Sequence, residues 1–170
     1  MNRILSVVAL VGLVGTVGLS AQMKHVDIKD AKGTSVGMAM IMPAKDGGVT
    51  IDLDVHGLPP GEHAIHFHAV AKCEAPDFTS ATGHFNPAMK KHGMQNPDGP
   101  HAGDMMNFTV DAKGNAKTTI TNKNVSMGSD ANSLYANGGT ALMIHGAADD
   151  MKSDPAGNAG PRIACGTITK

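Results

Sequence analysis

Apolar and polar residues alternate in short runs along most of the chain. In the clearest run, residues 49–55, every second side chain is Val, Ile or Leu, and Thr or Asp stands between them. Alternation with period two is typical of a β-strand with one buried face. Seven further runs, separated by turn signals, also predict strands: residues 26–28, 36–42, 64–69, 106–110, 116–121, 140–145 and 162–169.

The predicted fold class is all-β. Eight strands and the lack of a helical period favour a sandwich or a barrel. Two stretches, residues 73–104 and 146–161, show no strand pattern, and loops of this length on a compact β domain usually have a function. The histidines concentrate in and beside these two loops, so we expect the functional site there.

Met38, Met40 and Met42 recur at period two within one predicted strand. We interpret them as residues that pack on one sheet face, because Met is an adaptable core side chain. A thioether site for copper(I) is the alternative interpretation.

The first 21 residues have the pattern of a secretory signal. Arg3 supplies a positive charge, residues 4–19 are apolar and uncharged, and Ser20 and Ala21 are small. An uncleaved membrane anchor is the alternative, but the run is short for a span and glycines interrupt it. We expect cleavage after Ser20 or Ala21, a mature domain of residues 22–170, and an exported protein, either periplasmic or secreted.

Composition limits the possible function classes. The 170 residues are enough for one domain. Aromatic residues make up only 3% of the chain and the formal net charge is -1, so surfaces that stack bases or bind polyanions are not expected. We therefore expect no nucleic-acid partner and no stable membrane association.

Cys73 and Cys165 are the two cysteines of the chain. In an exported protein a disulfide between them is the default expectation. The alternatives are two free thiols or two thiolates that bind a metal ion.

Nine histidines in a chain of this length suggest metal ligation or proton chemistry. His66 and His68 lie two residues apart in a predicted strand, so their rings project from one face. His145 ends another predicted strand and can supply a third imidazole to the same ion. Nitrogen ligands without a thiolate suit copper(II). For an isolated His-x-His pair, an exposed polar face is the alternative.

A second set of possible ligands lies in the first long loop. His84, His92, His101 and Asp104 fall within 21 residues and offer three nitrogens and one oxygen. Four protein ligands of these types fit a tetrahedral zinc site of the structural kind. Because imidazole has two nitrogens, His84 can serve either ion, and a deprotonated ring can bridge two metals.

Five segments together resemble the copper–zinc superoxide dismutase family: GEHAIHFH at 61–68, GHFNP at 83–87, KKHG at 90–93, HAGD at 101–104 and GNAGPRIACG at 157–166. The resemblance extends from about Val26 to Lys170, and the motifs are highly specific in combination with the gaps between them. Ala64 and Ile65 replace the Gly-Phe pair that is common in the family, which changes packing beside the site and removes no ligand.

The resemblance implies an eight-stranded Greek-key β-barrel that binds copper and zinc. It assigns copper to His66, His68, His84 and His145, and zinc to His84, His92, His101 and Asp104. It also implies a disulfide between Cys73 and Cys165, an anion-guiding role for Arg162, and a link between the two ligand sets through Asp149.

The activity that the resemblance implies is conversion of superoxide to dioxygen and hydrogen peroxide by copper redox cycling, with a structural zinc. Arg162 would attract the anion, and His84 would donate a proton to the forming peroxide. The alternative function is a non-enzymatic extracytoplasmic copper or zinc binding protein, which has no need of Arg162. Since family members outside the cytoplasm occur as monomers and dimers, we expect a homodimer or a monomer.

Other polar residues have simpler interpretations. His63 lies an odd number of residues before His66, so we expect it on the opposite strand face as a hydrogen-bonded structural residue. Asn107 and Asn124 begin glycosylation sequons.

Overall fold

The computed structural model describes residues 23–170, so the predicted signal sequence and its cleavage site lie outside the described residues. This part of the chain forms nine strands: β1 (Lys24–Asp30), β2 (Ser35–Pro43), β3 (Val49–Val55), β4 (Gly61–His63), β5 (Ile65–His68), β6 (Phe108–Val110), β7 (Ala116–Asn122), β8 (Thr140–His145) and β9 (Arg162–Ile168). Two short 3₁₀ helices lie at Thr79–Ala81 and Ala136–Gly138. Over these residues no helix is long and apolar enough to cross a membrane.

The strands form a curled antiparallel sheet. Seven of them pair in the order β5-β8-β9-β1-β2-β3-β7, and β4 pairs with β6. β5 lies within the predicted strand 64–69, whereas β4 precedes that strand and was not predicted; the two pair with different neighbours. All eight predicted strands are present, and β4 is an additional short strand. The all-β prediction is confirmed, and the architecture is consistent with an eight-stranded Greek-key barrel.

Alternate residues of the strands fill the barrel interior. Val49, Ile51, Leu53 and Val55 are at most 1% exposed, as their alternation predicts. β3 pairs with β2 on one side and with β7 on the other over its whole length. Phe67 of β5 is fully buried in the same core. Because Phe67 points inward, the histidines on either side of it must face outward.

The methionines of β2 lie on the outer face of the sheet. Ala39 and Ile41 are 0% exposed, whereas Met38 is 50% exposed and Met40 and Met42 are half-buried. The prediction that the three methionines share one sheet face is confirmed. The interpretation of these methionines as core residues is wrong, because the inward positions of this strand belong to the residues between them.

The predicted disulfide between Cys73 and Cys165 is present, with the two Cα atoms 5.7 Å apart. It joins the loop after β5 to β9 across 92 residues of sequence. Cys165 is 1% exposed and packs in a small cluster with Phe78 and Met143. The bond therefore anchors the first long loop against the sheet.

Loss of this disulfide should lower the free energy of unfolding. In the double variant Cys73→Ser/Cys165→Ser the unfolded chain regains the freedom of a long loop, which should destabilise the protein by up to about 4–5 kcal/mol. Urea unfolding of the oxidised protein, the reduced protein and the variant measures this effect. The reduced protein serves as the control and should match the variant. Equal midpoints for the oxidised protein and the variant would contradict the prediction.

Candidate metal centre

The outer surface of the barrel at β5 and β8 is covered by loops. His66 and His68 project from the outer face of β5 and are nevertheless only 0% and 1% exposed. His145, at the end of β8, is 3% exposed. In the antiparallel pairing of these strands Ile65 lies opposite Ile144, so the end of β8 lies beside the start of β5. This register brings the third imidazole next to the other two.

Backbone hydrogen bonds fix the first long loop against β5. The Phe67 amide donates to the Gly103 carbonyl at 2.9 Å, the Gly103 amide to the Phe85 carbonyl at 2.8 Å, and the Phe85 amide to the Phe67 carbonyl at 2.8 Å. This closed triangle holds the loop segments of His84 and His101 against the strand. A Cβ atom at position 103 would collide with the Phe67 carbonyl oxygen, so the close approach requires glycine.

Four imidazoles form a first cluster, which we call the all-histidine cluster: His66, His68, His84 and His145. One nitrogen of each ring lies within 4.8 Å of the others. These atoms, Nδ1 of His66 and Nε2 of the other three, are buried and have no hydrogen-bond partner in the described part of the chain. The other nitrogen of His68, Nδ1, lies 2.8 Å from the Thr82 carbonyl oxygen, which fixes the ring. Unpartnered buried nitrogens gathered in this way form a donor set for a metal ion.

A second cluster, the aspartate-containing cluster, comprises His84, His92, His101 and Asp104. The Nδ1 atoms of the three histidines lie 2.8, 3.0 and 3.4 Å from Asp104 Oδ1. Bonds of about 2.0 Å place the ligand atoms of tetrahedral zinc roughly 3.3 Å apart, so this spacing fits that ion. The other oxygen, Asp104 Oδ2, accepts hydrogen bonds from the backbone amides of Gly93 and His101, both at 2.9 Å, which holds the carboxylate in place.

His84 belongs to both clusters. Its Nδ1 atom faces Asp104 at 2.8 Å, and its Nε2 atom is one of the unpartnered nitrogens of the all-histidine cluster. The ring centroids of His84 and His66 are 4.1 Å apart. A single imidazole thus connects the two donor sets.

Asp149 contacts one ring of each cluster at the ring nitrogen that faces away from that cluster. Its carboxylate oxygens lie 2.9 Å from His66 Nε2 and 3.1 Å from His92 Nε2, and its side chain is fully buried. These contacts orient the two rings so that His66 Nδ1 and His92 Nδ1 face their respective clusters. Hydrogen bonds of this kind fix the tautomer and orientation of a metal-ligating histidine.

Asn107 supports Asp149, a role that the sequence analysis missed. Its side-chain amide donates to the Asp149 carbonyl at 3.0 Å, and its Oδ1 atom accepts from the Asp149 amide at 2.9 Å. The sequence shows only an Asn-x-Thr sequon here, and nothing in that pattern points to a partner 42 residues away. The asparagine of the other sequon, Asn124, is exposed.

Burial is the main cause that lowers the pKa values of the imidazoles in the all-histidine cluster. Desolvation lowers the pKa of His68 to about 2 and the pKa values of His84 and His145 to about 4. These rings are therefore neutral near pH 7, which is the form that binds metals. Burial opposes the ionisation of Asp104, but the hydrogen bonds from the imidazoles of its cluster outweigh burial and hold the pKa of that carboxyl far below its usual range.

An open cleft of about 740 Å³ leads to the all-histidine cluster. Three histidines of that cluster line the cleft together with Arg162, the first residue of β9. The Arg162 guanidinium donates to the carbonyl oxygens of Phe78 at 2.7 Å and Thr82 at 2.6 Å. These bonds hold a permanent positive charge in the wall of the cleft.

Three other histidines lie outside both clusters. His63 is buried, and its ring nitrogens each lie 2.7 Å from a carbonyl oxygen, that of His145 and that of Pro59. Both nitrogens are occupied, in agreement with the structural role predicted for His63. His25 and His56 have exposed side chains.

The two donor sets fit different ions. Four neutral nitrogens without a thiolate suit copper, whereas three nitrogens and a carboxylate oxygen at tetrahedral spacing suit zinc. The sequence predicted the members of each set, and the structure brings all of them together.

Comparisons with known proteins agree with this arrangement. A family model described as copper/zinc superoxide dismutase matches residues 35–168. The Cu-Zn superoxide dismutase 1 of Aquifex aeolicus is 49% identical over 163 residues, which cover 94% of this chain and 96% of that protein. The Cu-Zn superoxide dismutase 2 of the same organism is 46% identical and covers 99% of both chains.

Solved structures show the same fold. A SOD-like protein from Bacillus subtilis superimposes with a TM-score of 0.82 at 36% identity, over 85% of this chain and 97% of that chain. The Cu/Zn superoxide dismutase from Brucella abortus superimposes with a TM-score of 0.70 at 25% identity, over 86% of this chain and 99% of that chain. Because the family model matches most of its length and the Aquifex relatives are 46–49% identical to it, the chain belongs to the copper/zinc superoxide dismutase family.

Proposed function

We propose that this protein is a superoxide dismutase in which the all-histidine cluster binds copper and the aspartate-containing cluster binds zinc. The observation that supports this most directly is the set of four buried imidazole nitrogens without a partner. Beside it lies a second donor set of different chemistry, and His84 is common to both. A copper ion and a zinc ion held by these two donor sets would account for both features.

When bound in the all-histidine cluster, copper would supply the one-electron redox chemistry that superoxide dismutation needs, and zinc would supply a fixed positive charge. The residues of the chain keep the donors in place. Asp149 orients His66, and the Thr82 carbonyl orients His68. Because these contacts are already present, the two rings are held with their unpartnered nitrogens directed into the cluster.

His84 is placed to hold and deliver a proton. Its Nδ1 side is held in the aspartate-containing cluster, while Nε2 lies in the all-histidine cluster and the residue lines the cleft. The net reaction consumes two superoxide ions and two protons and yields dioxygen and hydrogen peroxide. When His84 Nε2 is not bound to copper, it can hold a proton and pass it to the peroxide that forms in the cleft, which is a general-acid role, and water supplies the other proton.

Arg162 attracts the substrate. Superoxide is a small anion, and a permanent charge held in the cleft wall raises its local concentration beside the cluster. A protein that only stores copper or zinc has no use for this charge. The presence of Arg162 in the cleft therefore favours the enzyme over the metal-binding alternative.

We also infer that the protein is exported to the periplasm or the medium. The disulfide between Cys73 and Cys165 supports this inference, because such bonds persist in oxidising compartments. The signal-like pattern of the first 21 residues supports it independently.

Replacement of His145 tests the copper assignment. His145 belongs to the all-histidine cluster alone, so His145→Ala should lose copper and retain zinc. Copper affinity should fall by more than roughly 100-fold, since a direct ligand contributes more than an outer hydrogen-bond partner. Metal analysis after dialysis and superoxide decay after pulse radiolysis measure the two effects.

The control for this variant is His56→Ala, which removes an exposed histidine. A fully active His145→Ala protein would contradict the copper site. If the wild-type protein has no activity at full copper and zinc occupancy, the proposed dismutase activity is wrong and the metal-binding alternative remains.

Replacement of Arg162 tests substrate guidance. Arg162→Ala should lower the rate at low salt by roughly tenfold or more, and the remaining rate should depend less on ionic strength. Arg162→Lys keeps the charge but loses the paired hydrogen bonds to Phe78 and Thr82, so it should give an intermediate rate. Rates measured over a range of ionic strength separate loss of charge from loss of loop anchoring. A low-salt rate equal to wild type in Arg162→Ala would refute guidance.

Replacement of Asn107 tests its support of Asp149. Asn107→Ala removes both hydrogen bonds to the Asp149 backbone, so the protein should lose about 1–3 kcal/mol of stability. It should also release copper to a chelator faster than wild type. The matched control is Asn124→Ala, since Asn124 also begins a sequon but is exposed. If the two variants behave alike, Asn107 does not position Asp149.

A further inference from the structure

Every large apolar side chain that is strongly exposed in the described part of the chain is a methionine: Met23, Met38, Met89, Met94 and Met106. Leucine, isoleucine and phenylalanine have comparable size but do not occur in this set. Methionine differs from them in its soft, polarisable thioether sulfur. The strongly exposed large apolar residues thus share a soft sulfur donor.

Two of the methionines on β2 lie beside a histidine. Met38 and Met40 line a hollow of about 440 Å³ on the outer sheet face together with His25 of β1. His25 is the cross-strand partner of Met40, and Met38 is the diagonal neighbour on the same face. Cβ atoms of direct cross-strand partners lie about 5 Å apart and those of diagonal neighbours roughly 7–8 Å apart, which flexible side chains can span.

The hollow carries more negative than positive charge. Asp52 and Asp54 of β3, the cross-strand partners of the two methionines, line it with a single basic residue, Lys117. Lys117 Nζ lies 2.9 Å from Asp54 Oδ2, whereas Asp52 accepts a hydrogen bond from the neutral Thr119 hydroxyl at 2.7 Å. The carboxylate of Asp52 therefore adds a negative charge that attracts a cation.

We propose that His25, Met38 and Met40 form a surface site for a soft monovalent cation of the copper(I) class. Two thioethers and an imidazole are donors that suit copper(I), whereas protein zinc sites are built from thiolate, imidazole and carboxylate ligands. None of the three residues lines the catalytic cleft or belongs to the two histidine-containing clusters. The site is separate from the proposed copper and zinc positions and goes beyond the proposed function.

The position of the site makes it accessible without any change in the barrel. Met38 is 50% exposed and His25 is exposed, so an ion reaches the donors directly from solvent. The backbone of β1 and β2 is paired along this stretch, from Lys24 opposite Ile41 to Ile28 opposite Gly37. The sheet therefore fixes the backbone positions of the three residues, while their side chains remain free to close on an ion.

Silver(I) is a suitable probe, because it is a soft monovalent ion that does not exchange electrons with the protein. It is titrated into the copper- and zinc-loaded protein with carbon-13 labelled methionine methyl groups. The methyl resonances of Met38 and Met40 should shift together and saturate at one equivalent, while those of Met89 and Met106 should not move in that range. The same titration with zinc(II) should leave all of these resonances in place.

The variant Met38→Leu/Met40→Leu keeps apolar bulk and removes both sulfurs. It should weaken silver(I) binding by more than roughly tenfold and leave urea unfolding and superoxide dismutation as in wild type. Met89→Leu is the matched control, because Met89 is 90% exposed and lies outside the hollow, and it should bind as wild type. His25→Gln should also weaken binding, since it removes the imidazole.

Two results would overturn the site. If the methyl resonances of all exposed methionines shift equally without saturation, each thioether binds silver on its own and there is no shared site. If the Met38 and Met40 resonances do not move, these two residues do not bind silver. The readout does not depend on enzyme activity. A failed site and a failed catalytic assignment are therefore distinguishable.

Discussion

The structure holds a set of buried imidazole nitrogens at positions where no group of the described chain forms a hydrogen bond with them. Four such atoms lie together on the outer face of β5 and β8. A buried polar atom without a hydrogen bond destabilises a fold by about 1–3 kcal/mol. Binding of a metal ion satisfies these nitrogens, so stability and metal occupancy are coupled. The rest of the architecture keeps these rings from turning toward other partners.

Three sets of contacts hold the imidazole rings in place. The barrel core holds Phe67 between the two outward-facing histidines of β5, and the backbone triangle through Gly103 fixes the loop above them. The disulfide holds the same loop to β9. Behind the rings, Asn107 holds Asp149, which in turn orients one imidazole of each cluster. Loss of any of these supports changes the site without removing a ligand.

The two functional surfaces follow from one property of a β-strand. Outward residues of β5 are histidines that long loops bury, and outward residues of β2 are methionines that no loop of the described chain fully covers. Burial keeps the imidazoles neutral and excludes water, which suits tightly held ions. Exposure leaves the thioethers open to solvent, which suits an ion that enters and leaves directly. The same alternation therefore supports two different kinds of site.

The sequence by itself determined the positions of eight of the nine strands, the shared face of His66 and His68, and, through its motifs, the membership of both ligand sets. It did not show which nitrogen of each ring is free, that Asn107 holds Asp149, or that the β2 methionines face outward. Period-two alternation specifies which residues share a face, but it does not specify which face is inside. That choice depends on what packs over each face, and the packing comes from loops and strands distant in sequence. Only the tertiary structure brings those segments together.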